Sequence, residues 1–257
     1  MEIGELKTFF SLELRRARAL VKRIYTGKRK LEELPMTLQH FLIHSGFMTD
    51  VNIHQTKIEW KSAALKFNKT ANWKSINCIQ HNFLPDPIRL VYMKSKMFGI
   101  FSLEAFDSFR HGRGAMMVRM AKIFNITNAK GPEMDKAELV TILAETMIIP
   151  DYALQTYIQW EEISHYEIKG TISYYGIKAS GIFYFNNNFE IEKFETEDRC
   201  YTDKNGKFHS IKWTAECSDY TRHRELSFPT NFKATWNFPT GDFTYFKGEI
   251  DNIIINP

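Results

Sequence analysis

Asp107, Arg110, His111 and Arg113, the last held between Gly112 and Gly114, crowd the first half of the stretch DSFRHGRGAMMVRM, residues 107–120, and could do chemistry. Glycines around an arginine suggest a phosphate cradle. Such a loop must run from a strand into a helix N-terminus, whose aligned N–H groups and dipole supply the binding force. Here Phe101, Leu103, Ala105 and Phe109 share one parity before the stretch, with Asp107 as its polar exception, and Met116, Val118 and Met120 share another after it. The segment runs from strand into strand, so the expectation is the tip of a β-hairpin.

Other chemistry is thin. His40 and His44 stand four apart, as metal ligands on a helix would, but Phe41 replaces the glutamate of a His-Glu-x-x-His site and no acidic third ligand lies nearby. No Gly-x-Ser-x-Gly elbow occurs, and Cys78, Cys200 and Cys217 form no Cys-x-x-Cys pair. The pairs Glu161-Glu162 and Glu197-Asp198 fall in strand-like segments, where neighbours point to opposite faces and cannot converge on one bond. No metal and no cofactor is expected.

Two ionisable residues stay in play. Glu145, in GPEMDKAELVTILAETMIIP, falls off the stripe of Leu139, Ile142, Leu143, Thr146 and Met147 and sits beside Glu138 and Thr141. Exposure to water is the default for that side. If the helix is sandwiched inside a curved sheet, the same side faces a cavity, and Arg199 in FETEDRCY is the natural partner for its carboxylate.

The elements that must position these groups follow from periodicity. Leu6, Phe9, Phe10, Ala17, Leu20, Val21 and Ile24 form a helical stripe interrupted by Glu13, with Arg15, Arg16, Arg18, Lys22 and Arg23 opposite. This basic amphipathic helix either packs on the body or lies on an anionic membrane surface. A short helix follows between Pro35 and Gly46. Residues 52–126 then read as four or five strands. Gly131, Pro132, Glu133 and Asp135 open the central helix and Pro150 closes it. The remainder reads as an antiparallel meander of six or so strands, with turns near Gly176, at 186–188, at 203–206 and at 239–242. Gly99, Gly170, Gly181 and Gly248 stand within strands and are expected to supply bends.

Composition sets limits on function. At 257 residues and 44% hydrophobic the chain can bury a full core. No run of about 18 apolar residues spans a bilayer, and no secretory segment is evident, so the chain as written reads as soluble. Residues 1–30 carry nine basic against three acidic side chains, and the rest balances at −2 out of a total of +4. That excludes a nucleic-acid-coating body and places the positive field at one end. Three widely spaced cysteines make no disulfide framework, although a Cys200–Cys217 bridge between neighbouring strands stays open.

In order, LPMTLQHFLIHSGF, AFDSFRHGRGAMMVRM, ELVTILAETMIIP, ETEDRCY and FPTNFKATWNF resemble an uncharacterised bacterial family classed as a domain of unknown function. The resemblance covers about residues 31–255. Its pattern matches Asp107, Gly112, Gly114, Met116, Leu143, Ala144, Glu145, Pro150, Arg199, Ala234 and Trp236. This chain departs from it by carrying MIIP where members often place a tryptophan before the proline. The resemblance implies membrane segments ahead of the domain in many members, and a fold similar to the bacterial lipoprotein-carrier (LolA-like) open barrels.

The resulting expectation is an α+β fold: a long curved antiparallel sheet, an incomplete barrel of about ten strands, wrapped around a central helix with further helices at the N-terminus. Residues 1–30 form the basic helix and residues 31–257 a single curved-sheet domain. The expected function is a non-enzymatic module holding a lipid or other hydrophobic small molecule on the concave face. Its contacts are Asp107, Met116, Glu145, Arg199 and Trp236, and residues 1–30 are its means of membrane association. The alternatives are a hydrolase-like enzyme using Asp107, Glu145 and Arg199, and a purely structural or partner-binding domain.

Overall fold

In the computed structural model, residues 6–21, 28–46, 52–97, 101–121, 124–203, 205–223 and 226–257 are described. Aromatic and β-branched residues, which suit a pleated half-buried surface, recur along the strands. Two helices, α1 (Leu6–Val21) and α2 (Met36–Ser45), precede a first meander: β1 (Gln55–Leu65), β2 (Lys74–Phe83), β3 (Ile88–Met97), β4 (Phe101–Arg110), β5 (Arg113–Met120) and β6 (Phe124–Lys130). The central helix α3 (Pro132–Ala144) continues through short 3-10 turns at Glu145–Met147 and Pro150–Leu154.

The second meander holds β7 (Ile158–Ser164), β8 (Glu167–Tyr174), β9 (Ile177–Phe185) and β10 (Ile191–Thr196). A separate hairpin of β11 (Cys200–Thr202) and β12 (Phe208–Ser210) comes next, then β13 (Lys212–His223), β14 (Leu226–Phe238) and β15 (Gly241–Ile255). Thirteen of these strands form one antiparallel sheet in the order β6-β5-β4-β3-β2-β1-β15-β14-β13-β10-β9-β8-β7. The meanders therefore join only where β1 pairs with β15, from Thr56 opposite Ile255 to Leu65 opposite Phe246.

The strand count exceeds the ten or so expected. β6 is an edge strand whose side chains are almost all exposed, and β11 and β12 have three residues each. None of the three carries the apolar alternation by which strands are recognised.

The sheet is open but wraps around α3, which touches β4 and β5 on one side and β8 and β9 on the other. Two hairpin tips meet across the gap. His111-Gly112 and Tyr175-Gly176 both take left-handed backbone conformations, as two-residue hairpin turns require. A Cβ on Gly112 would lie 2.5 Å from that of Tyr175, so the tips fit only with glycine there. The 107–120 stretch is thus a hairpin, β4 into β5.

Gly170, Gly181 and Gly248 have a different role from the bends expected of them. A Cβ at each would strike an aromatic ring, that of Trp160, Phe194 and Trp60 respectively, at 2.7 Å or closer. These glycines make room for rings across the sheet. Gly99 lies outside the described residues, as do Ile24 of the N-terminal stripe and Lys22 and Arg23 of its basic face. Cys78, Cys200 and Cys217 are free thiols, and no Cys200–Cys217 bridge forms.

The core has two parts. On the concave side α2 and α3 bury Leu38, Phe41, Leu42, Leu139 and Leu143 against both meanders. On the other face, α1 lays Leu6, Phe10, Ala17 and Val21 over Phe83, Ile88, Leu90, Tyr92 and Phe106 of β2 to β4. Glu13, which breaks the α1 stripe, is buried and binds Arg110 of the hairpin at 2.7 Å and Arg16 at 2.7 Å. Most of the apolar side of α1 is therefore spent on the sheet, while Phe9 stays exposed. No helix among the described residues is long and apolar enough to cross a membrane.

Candidate functional site

Gly131 and Pro132 start α3 next to the β4–β5 hairpin, and Asp135 in its first turn fastens the two together. Its Oδ1 accepts from Gly114 N at 2.7 Å, and its Oδ2 pairs with Arg113 at 3.0 Å. Gly114 permits this approach, since a Cβ there would sit 2.6 Å from the Met134 carbonyl oxygen. Gly114→Ala should push α3 off β5 and cost about 1–3 kcal/mol, read as a lowered urea midpoint.

With its start fixed, α3 presents Glu138, Thr141 and then Glu145 along one side, toward the inward residues of β2 to β4. There a single buried guanidinium gathers three carboxyl groups. Arg89 donates from Nε to Glu145 Oε1 at 2.7 Å, and from Nη1 to Asp107 Oδ2 at 2.6 Å and Glu138 Oε2 at 3.1 Å. Gln80 Nε2 donates to Glu145 Oε1 at 2.8 Å, and Asn82 Nδ2 to Glu145 Oε2 at 2.6 Å. All six side chains are buried.

Burial, reinforced by the nearby Asp107 carboxylate and opposed by Arg89 and Arg199, pushes the Glu138 carboxyl up to about 8. Glu138 thus keeps its proton at neutral pH, and Arg89 faces the other two carboxylates. Burial also pushes the neighbouring Cys78 thiol up to about 12, which leaves it a poor nucleophile.

This cluster closes one end of a cavity of about 250 Å³ walled by Trp60, Val91, Met93, Met116, Trp213 and Phe246 among others. A second apolar pocket of about 120 Å³ shares Leu65, Met93 and Met116 with it and extends past Leu103 and Val118 to the rim. Two buried polar atoms on the cavity lining have no hydrogen-bond partner: Asp107 Oδ1 and Trp60 Nε1. No group of three or more His, Cys, Asp or Glu among the described residues is placed to hold a metal ion. A wider groove of about 690 Å³ elsewhere on the sheet is lined by Glu192, Glu216, Lys233 and Glu249. The Arg89 cluster takes no part in that groove.

Of the residues singled out from sequence, Asp107, Met116, Glu145 and Arg199 line the cavity and Trp236 does not. Trp236 is buried one layer away, 5.5 Å from the Tyr201 ring and stacked on Tyr245, which lines the cavity in its place. The exposure taken as the default for Glu145 does not hold, because α3 is enclosed by the sheet. Its partner is Arg89 and not Arg199. Arg199 reaches α3 a turn earlier, donating to the Ala137 carbonyl at 2.8 Å and to Thr141 Oγ1, with its guanidinium over the Trp213 ring.

Glu138 entered the sequence reading only as a neighbour of Glu145, and Arg89, Gln80 and Asn82 escaped it. Their signal is parity: Gln80 and Asn82 continue Ile76 and Cys78, and Arg89 begins Val91 and Met93. In β3 the opposite parity, Ile88, Leu90 and Tyr92, is apolar as well, because α1 covers the outer face, so Arg89 did not stand out.

A sheet of this size left open around one helix, with an ion cluster at the base of an apolar cavity, defines an open half-barrel. The chain belongs to a family of unknown function (DUF6920), whose model matches residues 32–254 and leaves α1 outside the matched stretch. The five ordered motifs fall on α2, the β4–β5 hairpin, α3, the β10–β11 connection and β14.

Comparison with curated proteins gives no match. Among solved structures, the chain is similar to a putative outer membrane lipoprotein-sorting protein domain from Vibrio parahaemolyticus. That match has 8% identity and a TM-score of 0.43, and covers 88% of this chain and 94% of that one. It is also similar to a DUF1329 family protein from Desulfovibrio piger, at 9% identity and TM-score 0.46, covering 86% and 92%. A LolA superfamily protein from Nitrosomonas europaea matches at 8% identity and TM-score 0.42, covering 87% and 95%.

Proposed function

We propose that this chain is a non-catalytic carrier or sensor that holds an amphiphile, a lipid or similar small molecule, on the concave face of its sheet. The carrying observation is the cavity itself, apolar along its walls and ending on a buried carboxylate with one unsatisfied oxygen, Asp107 Oδ1. An unpaired buried acceptor costs about 1–3 kcal/mol, which a ligand's donor group recovers. Methionines 93, 116, 134 and 147 line the cavity, and their flexible thioethers adapt to irregular apolar shapes.

The hydrolytic alternative finds less support. Asp107 and Glu145 are held by Arg89, Arg199 is committed to Thr141 and the α3 backbone, and Cys78 keeps its proton.

The test is native mass spectrometry of freshly purified protein, followed by organic extraction and lipid analysis. A stoichiometric adduct of lipid mass supports the proposal, and a bare mass that persists after incubation with lipid extract overturns it. Ala215 lines the cavity, so Ala215→Phe should fill part of it and lower the affinity for a fluorescent acyl probe at least tenfold, while thermal unfolding stays cooperative.

A further inference from the structure

The outer end of the groove differs in character from its inner end. The pocket that continues the cavity is lined by Lys74, Lys94 and Lys96 together with Phe67, and no acidic residue lines it. Phe67 is 60% exposed, an unusual position for a phenylalanine beside an apolar opening. It lies on the β1–β2 connection, KFNKTANW (66–73), which carries two further lysines and no acid. Lys66 Nζ stands over the Trp73 ring at 5.1 Å, and Lys69 donates to the Gly241 carbonyl. Among the described residues no carboxylate pairs with Lys74, Lys94 or Lys96. The adjoining β14–β15 turn contributes one acid, Asp242.

We infer that this rim docks on an anionic lipid bilayer, with Phe67 entering the interface, the lysines facing the headgroups and the groove opening toward the membrane. Exposed lysines around an aromatic side chain match what such a surface attracts: fixed negative charge outside and an apolar layer a few ångströms deeper. A protein partner would need shape complementarity over a broad patch, whereas the rim offers charge and one projecting ring. The inference rests on the groove being the path of an amphiphile, as proposed above. It assigns the site of exchange to the strand-end rim, where Lys74 stands on the concave parity and Lys94 and Lys96 on the outer one, and not to the basic face of α1, which packs over Phe83, Ile88, Leu90, Tyr92 and Phe106.

The experiment is co-sedimentation of the full chain with vesicles of phosphatidylcholine alone and of equimolar phosphatidylcholine and phosphatidylglycerol. Binding is expected only with the anionic vesicles, and it should weaken as salt rises. Each lysine near the surface is worth about fivefold in affinity, so replacing Lys74, Lys94 and Lys96 together by alanine should cost on the order of 100-fold. Phe67→Ser should weaken binding while leaving its salt dependence in place. All four side chains are exposed, so unchanged thermal unfolding certifies the folded state of these variants.

Lys7→Glu with Arg15→Glu on α1 serves as the comparison. If that pair abolishes vesicle binding and the rim variants do not, or if the wild-type chain ignores anionic vesicles, the docking surface is refuted. Native mass spectrometry of the triple-lysine variant separates the two ideas. A retained lipid adduct with lost vesicle binding supports docking and cavity alike, whereas an adduct absent from both wild type and variant counts against the cavity alone.

Discussion

Arg89→Met should be the most damaging single substitution in the cluster, costing about 3–5 kcal/mol of stability at neutral pH. The reason is an imbalance of charge. One guanidinium satisfies Glu145, Asp107 and Glu138 through contacts of 2.6 to 3.1 Å, and methionine would leave three buried carboxyl groups without the cation that contacts them. Urea denaturation followed by circular dichroism gives the value. Lowering the pH should return part of the loss, since protonated carboxyls are cheaper to bury. Glu145→Gln in the Arg89→Met background should return part of it at neutral pH. Arg199→Met is the informative contrast: it removes hydrogen bonds to Ala137 and Thr141 but strands no carboxylate, so about 1 kcal/mol is expected. Equal losses at the two arginines would refute the central role of Arg89.

The second large effect is a pH dependence that runs against the usual carboxylate pattern. In the unfolded chain Glu138 releases its proton near 4.5, and in the folded protein it holds it to about 8. Between those values the unfolded state has lost a proton that the folded state retains, so stability falls as pH rises through that window. Below it the group is neutral in both states and contributes no slope. Glu138→Gln mimics the protonated side chain and keeps an oxygen for Arg89, so it should flatten the slope and be more stable than wild type by a few kcal/mol at pH 8. Thermal melts across the window decide it. If the variant keeps the wild-type slope, Glu138 is not its source.

Much of the architecture was legible. Alternation at Ile211 to Cys217 and Phe232 to Phe238, the Gly131-Pro132 start of α3 and the glycine-containing hairpin turns are local signals, and local signals set most of the strands and the curved sheet. The site was legible only in part. Asp107 and Glu145 stood out because each interrupts or leaves an apolar stripe, whereas Arg89 sits at the very start of IRLVYM, where both parities are covered in the folded protein. Helical geometry placed Glu145 beside Glu138 and Thr141, as observed. Which arginine would meet it depended on how far β10 lies from the helix, and no periodicity carries that information. Trp236 was drawn toward the site by its motif. Its strand does pass the cavity, through Phe232 and Ala234, but Trp236 lies beyond that wall.

One feature of the sheet bears on how the protein comes to be folded. Every neighbouring pair of strands in the order joins segments close in the chain except β1 with β15, which brings Thr56 to Ile255. Each meander can zip from its own turns at small loop-closure cost, but the seam cannot form until nearly the whole polypeptide is available. On a ribosome the first six strands emerge with the β1 edge unmatched, exposing a row of N–H and C=O groups until the last strand arrives. Residues lining that seam, such as Ala63 opposite Gly248, therefore bear on the speed and fidelity of biogenesis as well as on the finished sheet.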